Sequence, residues 1–235
     1  MAAARVRSPE RYGSTKMTEH FLRPECIGHL IIAGWTGRDR IAQEKHIAEL
    51  ESLGVRRPAS TPVYYRVSSA RLTTASSLES PGLESSGEVE FVLFQLEGDL
   101  WVGTGSDHTD RQVETYNITV SKQMCDKPVA SRLWRFDDVR DHWDDLILRS
   151  WAIRGTERSL YQQGKVSAMR HPDDLIDGYR QSGGTFRDGT AMFGGTLPAI
   201  GGIRPAERFE FELEDPVLER RLTHAYDIVI LPVAG

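Results

Sequence analysis

Cysteine is scarce: only Cys26 and Cys125 occur in 235 residues, with no C-x-x-C pair. A disulfide framework is therefore excluded, and a reducing, cytoplasmic setting is expected. No apolar run approaches the ~18 residues of a membrane span, so no membrane association is expected. Nor is there a long basic run, and the formal net charge is -5, which argues against nucleic acid as a partner. A G-K-[ST] triplet is absent and no G-x-G-x-x-G opens a helix, so neither a P-loop nor a dinucleotide fingerprint is present. Internal repeats and low-complexity tracts are also missing.

What remains is a composition with 39% hydrophobic and 27% charged residues, ordinary for a soluble domain. The length suits one domain with a small appendage. Residues 1–16 carry Arg5, Arg7, Arg11 and Lys16 against one acid, Glu10. We expect a flexible N-terminal segment over 1–26, an organellar transit peptide being the alternative, and a single domain over 27–235.

Ile27–Trp35 reads as a short buried strand. Asp39–Leu53 reads as a helix capped by Asp39, with Ile41, Ile47, Ala48 and Leu50 as its apolar positions and Gly54 as its stop. Val63–Val67 is a strand, and residues 68–86, rich in Ser, Thr, Gly and Pro, read as a loop or edge-strand region. Val113–Val120 is a strand candidate leading to Lys122. Phe136–His142 reads as helical, with Trp134 and Trp143 as core. Leu146–Trp151, Arg208–Leu213 and His224–Pro232 read as strands, and a helix opens at His171 with Pro172 in its first turn. The fold class is mostly β (α+β), with a few short peripheral helices.

The chemistry concentrates in Ser86–Lys122. Glu88 and Glu90 are two apart in a β-branched and aromatic run, so both face one side of a strand while Val89 and Phe91 face the other. Glu97-Gly98-Asp99 is a turn signal, and a second strand returns to Asp107 beside the glutamates. Three converging carboxylates are unfavourable in a low-dielectric pocket unless a cation joins them. All-oxygen ligation favours Mg²⁺, Mn²⁺ or Ca²⁺ over Zn²⁺; a zinc site using His108 beside Asp107 is the weaker alternative. His46 and Glu49 are neighbours on one helix face, a pairing that can orient an imidazole to activate water.

The order of these motifs resembles the fumarylacetoacetate hydrolase superfamily, in a divergent bacterial-type branch. The residues are His46-Ile47-Ala48-Glu49, Glu88-Val89-Glu90, Ser106-Asp107 with Arg111 four residues on, Ser121-Lys122, and Gly195-Thr196-Leu197-Pro198. The resemblance spans roughly residues 27–232. It implies a mixed β-sandwich roll and a metal centre of Glu88, Glu90 and Asp107 holding Mg²⁺ or Mn²⁺. It also implies a catalytic group of His46, Glu49 and Lys122, and Tyr65, Arg66, Arg111 and Thr196 as substrate-binding residues. Ser159–Gly164 is similar to an exposed hairpin of that superfamily. The implied activity is hydrolysis of a C–C bond in a small β-diketo or acylpyruvate-type acid through a metal-bound enolate. Decarboxylation, hydration, dehydration or a non-catalytic binding role are alternatives. Family analogy implies a homodimer.

Overall fold

The structure is a computed structural model. It describes residues 19–52, 58 and 60–234, without the side chains at positions 42, 46, 49, 50 and 52. In chain order the strands are β1 (Glu19–Phe21), β2 (His29–Gly34), β3 (Val63–Val67), β4 (Leu72–Thr73), β5 (Ser77–Pro81), β6 (Ser85–Ser86), β7 (Val89–Leu96) and β8 (Asp99–Ser106). There follow β9 (Thr109–Asp110), β10 (Lys127–Pro128), β11 (Arg132–Arg135), β12 (Ile147–Arg154), β13 (Glu157–Lys165), β14 (Thr190–Thr196), β15 (Arg208–Asp215) and β16 (Arg220–Leu231). The helices are α1 (Arg40–Ser52), α2 (Arg111–Glu114), α3 (Ile118–Met124), α4 (Phe136–Val139) and α5 (Pro172–Gln181).

Two mixed sheets carry the fold. A seven-stranded sheet has the order β1-β11-β8-β7-β14-β2-β3, and a five-stranded sheet the order β13-β12-β15-β16-β5. Neighbours are antiparallel except β14 with β2 and β16 with β5, which run parallel. Central β7 is buried on both faces, which explains its nearly unbroken apolar run. Val89, Phe91 and Leu93 face a core shared with Leu148, Phe209, Phe211, Leu213 and Tyr226 of the second sheet. Val92 and Phe94 pack on the opposite side with Leu30, Ile32, Leu133 and Phe193. Trp143 meets Phe91 edge-on at 5.0 Å between ring centroids, a geometry favoured by the ring quadrupoles. No helix among the described residues is long and apolar enough to cross a membrane.

Several expectations change. Residues 19–26 do not belong to a flexible segment: β1 pairs antiparallel with β11, and Leu22 is buried, its N–H donating to Ser131 O at 2.8 Å. Residues 1–18 lie outside the described residues. Val113–Val120 is not a strand. Asp110 caps α2 by accepting from Val113 N–H at 2.9 Å, and Asn117 caps α3 by accepting from Val120 N–H at 3.0 Å. These two caps outweigh the β preference of the intervening Val, Thr and Ile residues. Asp39 does cap α1, accepting from Ile41 N–H, but Ile41 itself is exposed, while Ile47 is buried. The region 68–86 contains β4, β5 and β6, and β5 forms an edge of the five-stranded sheet, in line with the edge-strand reading. In the 159–164 segment Tyr161 and Gln162 are buried.

Candidate metal centre

The hairpin of β7 and β8 sets the geometry. Val89 pairs with Ser106, so the next residue outward on each strand, Glu88 and Asp107, lie side by side. Asp107 N–H donates to Glu88 O at 2.9 Å. Glu90 projects to the same side. One carboxylate oxygen from each of Glu88, Glu90 and Asp107 can be chosen so that all lie within 4.8 Å of one another. Among the described residues this is the one group of three acidic, His or Cys side chains so arranged.

Glu90 is fixed from the neighbouring strand. The pairing of β7 with β14 is regular from Thr190 to Phe193 and then shifts before Thr196 meets Glu90. In the shifted stretch Gly195 N–H turns to the Glu90 carboxylate and donates to Oε2 at 2.7 Å. Gly195 has φ +104°, and a Cβ there would sit 1.8 Å from Thr36 Oγ1, so only glycine fits. Burial, then the charges of Asp107 and Glu88, push the Glu90 carboxyl well above the usual carboxylate range.

Asp107 has the opposite surroundings. Lys127 Nζ lies 3.1 Å from Oδ1, and Lys122 Nζ contacts Oδ2. Burial disfavours the Asp107 charge, but the two ammonium groups prevail and bring its pKa down to about 2. Lys127 also donates to His108 O at 2.5 Å. Burial lowers the Lys127 pKa despite Asp107. Burial also opposes the Lys122 charge, but Asp107 and Glu88 outweigh it and raise the pKa. Lys122 comes from α3, not from a strand end.

Glu88 is held through Arg111, whose Nη1 donates to Glu88 Oε1 at 3.2 Å and Glu114 Oε2 at 2.8 Å, while Nε donates to Ser86 Oγ at 2.7 Å. A buried relay braces the other side. Ser106 Oγ accepts from Glu88 N–H at 3.2 Å and lies 2.9 Å from Tyr226 Oη, which lies 2.9 Å from His108 Nδ1. His108 therefore turns to Tyr226 and stays outside the carboxylate group, against the zinc alternative; burial, Lys127 and Arg111 lower its pKa to about 3. Gln162, from β13, is a four-way clamp. Its Oε1 accepts from Val89 N–H and Ser150 Oγ, each at 2.9 Å, and its Nε2 donates to Thr196 Oγ1 at 2.8 Å and Leu197 O at 2.6 Å.

Glu88 and Glu90 line a cavity of about 490 Å³ together with Lys122, Tyr65 and Thr196, with Glu114, Ile118, Asp39 and Gln43 also in its walls, while Asp107 is wholly buried behind them and in contact with Lys122. Tyr65 faces in; burial raises its pKa, Lys122 opposing. Arg66 does not face in. Alternation on β3 sends it to the opposite side, where it donates to Leu30 O at 3.0 Å and Gly28 O at 3.2 Å. Arg111 orders Glu88, Glu114 and Ser86 through Nη1 and Nε, while its buried Nη2 has no hydrogen-bond partner among the described residues. His46 and Glu49 belong to α1, but their side chains lie outside the described residues. Lys127, Gln162 and Glu114 were not singled out as site residues from sequence. The usable signal for Lys127 was an ammonium in the otherwise apolar Pro128-Val129-Ala130 context.

Three carboxylates, one of them wholly buried and without an ion pair to any described Lys or Arg, form an oxygen donor set that fits a hard dication such as Mg²⁺ or Mn²⁺. A comparison with solved structures returns the same architecture at low identity. A putative HpcE protein from Mycobacterium smegmatis aligns with TM-score 0.64 and 17% identity over 88% of this chain and 76% of its own. A 2-keto-3-deoxy-D-arabinonate dehydratase, solved with magnesium and 2,5-dioxopentanoate, aligns with TM-score 0.61 and 15% identity over 88% and 74%. A yeast fumarylacetoacetate hydrolase family protein aligns with TM-score 0.62 and 15% identity over 90% and 96%. No curated protein matches by sequence. A family model matches residues 33–226 and so covers both the carboxylate hairpin and Tyr226. The chain thus has the fumarylacetoacetate hydrolase fold, and it belongs to the family described as protein of unknown function (DUF2848).

Proposed function

We propose that the protein is a Mg²⁺- or Mn²⁺-dependent enzyme that hydrolyses a C–C bond in a small β-diketo or acylpyruvate-type acid. The observation that carries this reading is the convergence of Glu88, Glu90 and Asp107 beside a cavity large enough for such an acid. Those three residues hold the metal. When bound, the ion supplies Lewis-acid polarisation of the substrate's chelating oxygens.

The remaining steps belong to this chain's own residues. Lys122 lines the cavity and offers an ammonium to the negative oxygen that develops as the C–C bond opens. Tyr65 and Thr196 line the same cavity and shape the place of the substrate. His46, oriented by Glu49, takes the proton of the attacking water; this assignment rests on the motif resemblance, and α1 begins beside the cavity, which Asp39 and Gln43 line. The magnesium-bound dehydratase supports a shared use of metal and keto acid on this fold.

The test is a screen of acylpyruvates, oxaloacetate and sugar-derived 2-keto acids with Mn²⁺ present. Hydrolysis of an acylpyruvate, with a loss of about 10²-fold or more in Glu49→Ala, is the expected result. Dehydration or decarboxylation without hydrolysis moves the reaction to another class on the same site. No turnover of any of these, together with no Mn²⁺ effect on melting temperature, overturns the reading in favour of a non-catalytic protein.

A further inference from the structure

Asp107 offers two oxygens, and each already faces an ammonium group: Oδ1 faces Lys127 and Oδ2 faces Lys122. A dication on Asp107 sits close to both ammonium groups and repels each of them. The less firmly anchored lysine yields, and the surroundings of the two are unequal. Lys127 is wholly buried, is held at a second point by His108 O at 2.5 Å, and does not line the cavity. Lys122 lines the cavity, and its Nζ also lies 3.8 Å from Glu88 Oε2, so it bridges two of the three acids that a dication would bind. Its four-carbon stem on α3 gives the ammonium rotamers to move into.

We propose that Lys127 is the fixed counter-ion of Asp107 and Lys122 an exchangeable one, displaced from Asp107 Oδ2 by a dication and delivered to the substrate side of the cavity. This rests on the metal-dependent reading above. Lys127 is then a positioning residue: it holds the Asp107 carboxyl group in place in both arrangements. Lys122 acquires two consecutive duties. It balances the acids until a metal arrives, and it then faces the substrate with its charge free.

The experiment is Mn²⁺ titration of the chelator-treated full chain, followed by calorimetry and by the paramagnetic signal of free Mn²⁺, for the wild type, Lys122→Met and Lys127→Met. Lys122→Met is expected to bind Mn²⁺ at least about tenfold more tightly than wild type while losing turnover. Binding that is unchanged or weaker in Lys122→Met overturns the proposal, since Lys122 would then be a support for Asp107. Lys127→Met is expected to bind more weakly than wild type. Because that variant risks misfolding, a second measurement follows acetylation of Lys122 in the wild type by peptide mass analysis. Mn²⁺ is expected to increase its labelling several-fold, and unchanged or reduced labelling overturns the release step. Failure of both wild type and Lys122→Met to bind Mn²⁺ refutes the metal site itself, a result distinct from failure of the exchange.

Discussion

At Glu90 a carboxylate is sealed against Gly195 N–H with two other carboxylates for neighbours. Its burial raises the free energy of the charged form. Glu90→Gln keeps an acceptor for Gly195 and removes the repulsion. We expect it to raise the melting temperature in chelator by a few degrees, about 1 kcal/mol at this chain length. The same variant should lose Mn²⁺ affinity by about 100-fold or more. Thermal melts with chelator and Mn²⁺ titration check the two halves. The alternation that put Glu88 and Glu90 on one side was legible because a strand has a strict period of two. The same rule separates Tyr65 from Arg66: adjacent side chains on a strand point apart, so Tyr65 faces the cavity and Arg66 the opposite side. Gln162 is not legible, since its partner Thr196 is fixed by tertiary packing with no local spacing to betray it; Lys127 is marked only by its charge beside Pro128-Val129-Ala130, and nothing local points to Asp107 as its partner.

At the scale of elements, the shifted stretch of β14 opposite Glu90 decides whether a backbone N–H reaches the acid. Gly195→Ala forces a Cβ onto Thr36 at a φ that L-residues avoid. A cost of about 2 kcal/mol or more is expected, with a parallel loss of metal affinity; urea unfolding and Mn²⁺ titration measure both. The β15–β16 hairpin carries a second test. Asp215 is buried and accepts from Val217 N–H and Leu218 N–H, each at 3.1 Å, from Arg220 Nε at 3.1 Å, and pairs with His142 Nε2 at 3.0 Å. Burial disfavours its charge, but Leu218 N–H, His142 and Arg220 prevail and lower its pKa. A lowered folded pKa means that the stabilisation is complete above the unfolded value of about 3.9 and fades as pH falls through the folded one. Asp215→Asn should therefore cost about 2 kcal/mol at neutral pH and flatten the acid limb of stability below about pH 4, read by denaturant midpoints against pH. Strands were readable here because alternation and apolar runs mark them. The segment 113–120 carries strand-like β-branched residues that mask two capped helical turns.

For the whole molecule, both sheets contribute to one centre. Glu90 comes from the seven-stranded sheet and Glu88 immediately precedes its β7, while Gln162 and Tyr226, which brace them, come from the five-stranded one. Metal bound there should stabilise the entire fold. At a metal concentration near 100 times Kd the gain is about 2.7 kcal/mol, a rise of roughly 5–10 °C. Melts in chelator and in excess Mn²⁺ read it, and equal midpoints would remove the metal from the account. The mostly-β class was visible from residue pattern, whereas the strand order was not, because β14 beside β7 and β16 beside β5 join positions far apart in the chain.

Tyr226 lies 120 positions after Ser106, to which it bonds. A chain still emerging from the ribosome has its acids long before it has their brace. Ser106 and His108 therefore lack their Tyr226 partner until β16 docks, and the carboxylate hairpin reaches its braced geometry only once the two sheets have joined.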